Sequence, residues 1–250
     1  MIDLELDGKV AIVTGASRGL GHAAAEALAA QGVHVLAAAR SEQDLQALAQ
    51  SDPDHIRAQP CDMLDMIAVA ALPEQAVAAF GRLDIVVNNA GIAPAGLFLE
   101  QDPAVWDQVM TVNVTAPATL ARAAGRILVE QGAGKIINIA STSGILGKAA
   151  LVAYSSSKGA LLQFTKALAA EWGKTGVQVN AIAPGAFETD AQSAVLESPD
   201  ILKRRLGKIP ARRMGLATEM GPLVCYLASK QSDFVTGSVF VIDGGESSKL

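Results

Sequence analysis

Six short runs rich in Val and Ile recur along the chain, at residues 10–13, 33–36, 85–87, 136–139, 177–182 and 239–242, with a weaker seventh at 55–58. Brief apolar runs without polar alternation belong to strands buried on both faces. Between them, residues 23–30, 65–80, 106–131 and 152–171 repeat Ala and Leu at helical spacing. Parallel strands cannot be joined by a hairpin and need a crossover, so this alternation implies repeated βαβ units. The expected fold is α/β: a doubly wound parallel sheet of about seven strands, helices on both faces, and a ligand crevice at the carboxyl ends of the strands. No linker, internal repeat or low-complexity segment interrupts the pattern, which predicts a single domain over residues 1–250.

Composition narrows the class of partner. Hydrophobic residues make up 50% of the chain but aromatic ones only 4%, so the apolar mass is aliphatic and suits helices packed closely on a branched sheet. A formal net charge of −5 offers no basic field to a phosphate backbone or an anionic membrane, and the expected partner is a small molecule. Cys61 and Cys225 stand far apart with no His cluster beside them, which predicts inert buried thiols, no disulfide framework and no metal site. The start is acidic, with Asp3, Glu5 and Asp7, and lacks the basic residues and apolar run of a signal peptide. No apolar stretch approaches the ~20 residues of a membrane span, so the chain reads as cytoplasmic.

Two local patterns carry chemistry. The first apolar run leads through Thr14-Gly15-Ala16-Ser17-Arg18-Gly19-Leu20-Gly21 straight into a helical stretch. Glycines in such a turn let backbone N–H groups approach a pyrophosphate, which then sits at the positive end of the helix. Farther on, Tyr154 and Lys158 stand four residues apart on an expected helix, so their side chains share one face. An alkoxide formed from a carbonyl must be protonated, and the reverse reaction needs a base. A tyrosine serves better when a nearby ammonium, here Lys158, lowers its pKa. Ser141, thirteen residues before Tyr154, lies at the end of an expected strand where a hydroxyl can hold the substrate oxygen; Thr142 and Ser143 beside it have similar chemistry. Asn113 sits in mid-helix, where Asn is a mediocre helix former.

Taken together, the glycine loop, Asp62, Asn88-Asn89-Ala90-Gly91, Asn113, Ser141, Tyr154-Ser155-Ser156-Ser157-Lys158 and Pro184-Gly185 resemble the short-chain dehydrogenase/reductase family, in family order and over essentially the whole chain. The resemblance implies a Rossmann-type domain that binds NAD(H) or NADP(H) and moves a hydride between the nicotinamide and a secondary alcohol or ketone. It implies a catalytic tetrad of Asn113, Ser141, Tyr154 and Lys158, with Asn113 kinking its helix and Lys158 also holding the nicotinamide ribose. The implied cofactor lining is Gly15, Ser17, Arg18, Gly19, Leu20, Gly21, Arg40, Asp62, Met63, Asn89, Ala90, Gly91, Tyr154, Lys158, Pro184, Gly185, Phe187 and Thr189. Asn88 is expected to tie strands together instead.

Cofactor choice rests on the end of the second strand, where an acid would bond the ribose of NAD and repel the 2′-phosphate of NADP. Ala39 stands where NAD-using relatives carry Asp, and Arg40 and Arg18 offer cations to a phosphate, so NADP(H) is expected ahead of NAD(H). Residues 186–213 carry many charges and read as a substrate lid, mostly solvated, with one or two cations able to meet a substrate carboxylate. Within the family the chain resembles both 3-oxoacyl carrier-protein reductases and gluconate-type sugar-acid dehydrogenases. Residues 209–215 and 227–237 look closer to the second group. Gly132 and Thr175 occupy places where the carrier-protein reductases carry Arg, with Lys135 and Lys174 adjacent as substitutes. A small hydroxy, keto or sugar acid is the expected substrate, a carrier-protein reductase the alternative, and a nucleotide sensor without turnover a remote one. By resemblance the chain forms a homotetramer through its long helices, where Ala116, Ala118, Ala121, Ala123 and Ala124 would allow close contact.

Overall fold

Strand β1, Val10–Thr14, is buried along its whole length and lies at the centre of the sheet. In this computed structural model, which describes residues 3–248, successive residues of β1 point into two separate cores. Ala11 and Val13 pack with Ala24 and Leu28 of α1 (Gly19–Ala29) and Val224 of α10 (Gly221–Ala228). Val10 and Ile12 pack on the other face with Leu72 and Ala76 of α3 (Met66–Phe80) and Leu120 and Ala124 of α5 (Ala116–Gln131). A strand with a core on each side needs apolar residues at every position, which is why its signal is a run and not an alternation. The two residues at each end of the expected 1–250 domain lie outside the described residues.

The sheet order is β3-β2-β1-β4-β5-β6-β9, all parallel. The strands after β1 are β2 (His34–Ala39), β3 (Ile56–Pro60), β4 (Ile85–Asn88), β5 (Gly134–Ile139), β6 (Val177–Pro184) and β9 (Val239–Ile242). The chain runs outward from β1 to β3, then returns to the other side of β1 at β4. That reversal opens a crevice beyond the carboxyl ends of β1 and β4.

Several elements depart from the expectation. The long helix foreseen over 106–131 is α4 (Pro103–Met110) and α5, joined by a π-helical turn at Thr111–Thr115. Helix α2 (Glu42–Ser51) was hidden because it buries only Leu45 and Leu48. Beyond β6, Phe187–Glu188 (β7) and Gly215–Leu216 (β8) form a two-stranded parallel ribbon. Between them lie α8 (Ser193–Leu196) and α9 (Pro199–Lys208), and Leu202 and Leu206 of α9 pack on Ala186, Ile209 and Met214. Of the five alanines foreseen at a subunit face, Ala116, Ala121 and Ala124 instead belong to the core, because that stripe of α5 lies on the sheet. Among the described residues, no helix is long and apolar enough to cross a membrane.

Candidate active site

At the crevice, the ends of β1 and β4 are stitched together. The Thr14 hydroxyl accepts from the backbone N–H groups of Asn89 (3.0 Å) and Ala90 (3.1 Å). The Asn89 side-chain amide donates to the carbonyls of Thr14 (2.9 Å) and Gly15 (3.1 Å), so part of the polar capacity expected to face a ribose is spent holding the glycine loop. Any Cβ at Gly21 would collide with the Gly15 carbonyl, which explains the second glycine of the close pair. Helix α1 begins at Gly19 behind an extended Arg18, and no side chain caps it. Its first N–H groups and the positive end of its dipole therefore face the crevice, with Ser17 and Leu20 partly buried around them.

The surroundings of this helix end suit a phosphorylated dinucleotide. Ala39 is buried at the end of β2 and Arg40 is exposed directly after it, as is Arg18. Among the described residues neither arginine takes part in an ion pair. Asp62 is exposed after β3 and accepts from the Leu64 N–H at 3.0 Å, with Met63 buried beside it. Across the crevice, the Thr189 methyl lies 3.5 Å from where a Gly19 Cβ would stand, which brings the segment after β6 over the glycine loop. Pro184 is buried at the end of β6, Gly185 packs on Asp243, and the Phe187 ring fills the space beside Gly215.

Toward the chemical end, Gly91 is the joint: a Cβ there would stand 3.2 Å from Asn113 Oδ1 and 3.4 Å from Lys158 Nζ. Asn113 is completely buried inside the π turn. Its Oδ1 accepts from the Ile92 N–H (2.9 Å), and its Nδ2 donates to the Ile92 carbonyl (3.0 Å) and to Ser157 Oγ (2.9 Å). Ser157 in turn donates to the Tyr154 carbonyl at 2.7 Å. Asn113 thus ties the loop after β4 to α7 (Val152–Trp172). A second buried ladder serves the same end: Asn88 donates to Asn138 (2.8 Å) and Asn138 to Thr165 of α7 (2.9 Å), as the strand-tying expectation for Asn88 requires.

Tyr154 and Lys158 occupy one face of α7. The Lys158 ammonium is buried, lies 5.8 Å from the Tyr154 ring centroid and donates to the Ile139 carbonyl at 2.7 Å. The expected electrostatics are reversed here. Burial pushes the Tyr154 phenol above its ordinary value, and the Ser141 hydroxyl beside it pulls the other way. Lys158, desolvated, falls to about 8 and gives one of its three N–H groups to the Ile139 carbonyl, and burial of the phenol outweighs the lowering that was foreseen. Of the three neighbouring hydroxyls, it is that of Ser141 that meets the phenol; it also accepts from the Ser143 N–H at 3.1 Å. One contact had no sequence signal. Gly144, in the short helix α6 (Ser143–Leu146), packs so tightly on α7 that a Cβ would stand 2.6 Å from the Lys158 carbonyl carbon.

The expectation that Lys135 could serve a carrier protein at the rim fails: its ammonium is buried, bonded to Asp233 (2.6 Å) and Ser232 (3.3 Å). Cys61 and Cys225 are buried, and burial raises each thiol to about 11, which makes both inert.

A Gly-rich loop at the sheet's switch point, with a Tyr-x-x-x-Lys helix facing the end of β5, defines a class of dinucleotide-dependent oxidoreductase, and comparison with known proteins agrees. A family model described as enoyl-(acyl carrier protein) reductase matches residues 15–247. The chain belongs to the short-chain dehydrogenase/reductase family. It is 35% identical to the 3-oxoacyl-(acyl-carrier-protein) reductase of Escherichia coli K12 over 242 residues, covering 97% of this chain and 98% of that one. It is 39% identical to the galactitol 2-dehydrogenase (L-tagatose-forming) of Cereibacter sphaeroides over 243 residues, 96% and 95% of the two chains. Among solved structures, the gluconate 5-dehydrogenase of Burkholderia cenocepacia J2315, in complex with NADP and tartrate, superposes with a TM-score of 0.94 at 33% identity, covering 99% of this chain and 98% of that one.

Proposed function

We propose that this oxidoreductase uses NADP(H) to interconvert a secondary alcohol and a ketone on a small polar molecule, a hydroxy, keto or sugar acid. The observation that carries the reading is that Ser141 and Lys158 both lie against Tyr154, with Asn113 tied through Ser157 to the same helix and Gly91 packed beside both Asn113 and Lys158. The cofactor, when bound, supplies or receives the hydride. Arg18 and Arg40 would hold its 2′-phosphate, the uncapped N-terminus of α1 its pyrophosphate, and Thr189 and Phe187 would flank its nicotinamide end. Ser141 positions the substrate oxygen at the phenol, and Tyr154 gives a proton to it in reduction or takes one in oxidation. Lys158 sits next to the phenol, where it can hold a ribose hydroxyl and pass a proton. Asn113 acts at one remove, by holding residue 92 and Ser157 in place.

Residues 186–213 act as a lid over the substrate. The tartrate in the Burkholderia structure is itself a hydroxy acid, which supports that substrate class. The second reading, a 3-oxoacyl carrier-protein reductase, has the E. coli relative in its favour and the buried Lys135 against it. The protein assembles as a homotetramer in this reading. The deciding experiment follows nicotinamide absorbance with NADPH and NADH over keto acids, sugar acids, neutral ketones and acetoacetyl carrier protein. Turnover of small acids with NADPH is the expected result, and Arg40→Asp should shift preference toward NADH. A carrier-protein kcat/KM far above every small substrate would establish the second reading.

A further inference from the structure

Lys158 is gripped from two sides by one stretch of chain. Its ammonium donates to the carbonyl of Ile139, the last residue of β5, at 2.7 Å. Its own peptide lies against Gly144, farther along the same stretch. A Cβ at Gly144 would stand 2.6 Å from the Lys158 carbonyl carbon, 2.7 Å from the Gly159 nitrogen and 2.8 Å from the Lys158 oxygen. All three are backbone atoms of α7, so no flexible side chain can turn aside to admit a methyl group. Gly144 does not have a positive φ, and alanine is the better helix former, so the demand for glycine comes from the close approach alone.

Ser141 lies between the two grips. Its backbone is set by the sheet, because the Ala140 N–H donates to the Ile182 carbonyl (2.7 Å) and the Thr142 N–H to the Pro184 carbonyl (3.0 Å) of β6. Its side chain is set by the turn: the Ser143 N–H donates to Ser141 Oγ at 3.1 Å, and the Gly144 N–H to the Ser141 carbonyl at 3.0 Å. A hydroxyl that accepts from Ser143 keeps its hydrogen for the phenol, which is the sense in which Ser141 acts on Tyr154. The lid is fastened elsewhere. Arg205 of α9 gives both terminal nitrogens to Glu246, and the Ala211 N–H donates to the Gly244 carbonyl at 3.0 Å; neither bond involves residues 139–147.

We infer that Gly144 is a positioning residue, the spacer that fixes how far the Ser141 hydroxyl stands from Tyr154 on α7. This rests on the reading that Ser141 and Tyr154 act on the substrate oxygen. A methyl group at 144 forces the turn and α7 apart. Whichever yields, Ser141 and Tyr154 separate, since one is held by the turn and the other stands one helical turn before the peptide that Gly144 touches. The crossing is one-sided: a Cβ on Gly159 would meet only the Gly144 carbonyl oxygen, at an ordinary 3.4 Å. The same methyl group is therefore tolerated from the helix side and not from the turn side.

The chain has only two tyrosines, Tyr154 and Tyr226, so carbon-13 NMR of tyrosine labelled at Cζ gives two signals, assigned by Tyr154→Phe. Ser141→Ala shows which way the Tyr154 signal moves when the hydroxyl contact is lost. Gly144→Ala should move it the same way and leave Tyr226 in place, and Gly159→Ala should move neither. Ile145→Gly loosens the turn without adding an atom at the crossing and replaces a half-exposed side chain, so it keeps the fold and should move the Tyr154 signal in that direction too. With NADPH and either 5-keto-D-gluconate or acetoacetate, Gly144→Ala should lower kcat by about 10²-fold. KM should hardly change, because the lid is fastened independently, and Gly159→Ala should keep the native kcat. A Tyr154 signal indifferent to both turn variants, or equal losses of kcat in Gly144→Ala and Gly159→Ala, would overturn the spacer and leave the proposed reaction intact. A signal that moves as expected in a protein that reduces neither acid would uphold the spacer and count against the small-acid reading.

Discussion

Tyr154 and Lys158 show how burial decides which proton moves. A phenol pushed above its ordinary pKa stays protonated at neutral pH, which suits it to donate during carbonyl reduction; oxidation of the alcohol should accelerate as pH rises. Tyr154→Phe should lower kcat/KM by about 10²- to 10⁴-fold, with the NADPH dissociation constant nearly unchanged in fluorescence titration. A residual rate above a few per cent would require another acid. Lys158 makes a separate prediction about stability. With a folded pKa of about 8 against 10.5 for the model lysine, the unfolded chain binds more protons between those values, so stability rises with pH across that window and the penalty is fully present below it. Urea unfolding should show the wild type gaining on Lys158→Met by roughly 3 kcal/mol between pH 8 and 10.5. Parallel profiles for the two proteins would mean that the ammonium is not desolvated.

Among the elements, the π turn at Thr111–Thr115 is the one whose purpose is most local. It buries Asn113 where an unbroken helix would carry it past the loop after β4. Asn113→Ala would leave the Ile92 amide groups and the Ser157 hydroxyl short of partners. It should cost at least about 2 kcal/mol in urea unfolding, together with most of the activity. Only the family resemblance, which implied a kink at Asn113, pointed to this turn, because the sequence on either side continues as helix and Asn is only a weak departure from it. The central strands were legible because burial on two faces leaves an apolar run that little else mimics. Helix α2 and the β7–β8 ribbon were not: one is polar on most of its surface, and the other has strands two residues long. For the candidate site, spacing and family order singled out Tyr154, Lys158 and Ser141, which the fold brings side by side. The expected sign of the Tyr154 shift failed because burial is a property of the fold and not of spacing.

On the scale of the whole molecule, the sheet leaves β9 as an open edge and the loop before α4 leaves Leu97, Phe98 and Leu99 exposed, with Phe98 edge-on to Trp106 at 6.3 Å between centroids. Exposed apolar groups of this kind mark surfaces that meet another chain. The proposed homotetramer should give a light-scattering mass about four times the 25.7 kDa of one chain, and a monomeric mass would refute it. The core position of three of the five α5 alanines means that the remaining half-exposed pair, Ala118 and Ala123, has to provide any close helix contact there. The attachment of α9 to Glu246 through Arg205, backed by the bond from the Ala211 N–H to the Gly244 carbonyl, has a practical corollary for anyone handling the protein. An affinity tag fused after residue 246, or a deletion that removes that residue, pulls on the segment proposed as the substrate lid before it disturbs the sheet. Such preparations should keep their melting temperature while losing substrate affinity, and a tag is better placed at the other terminus.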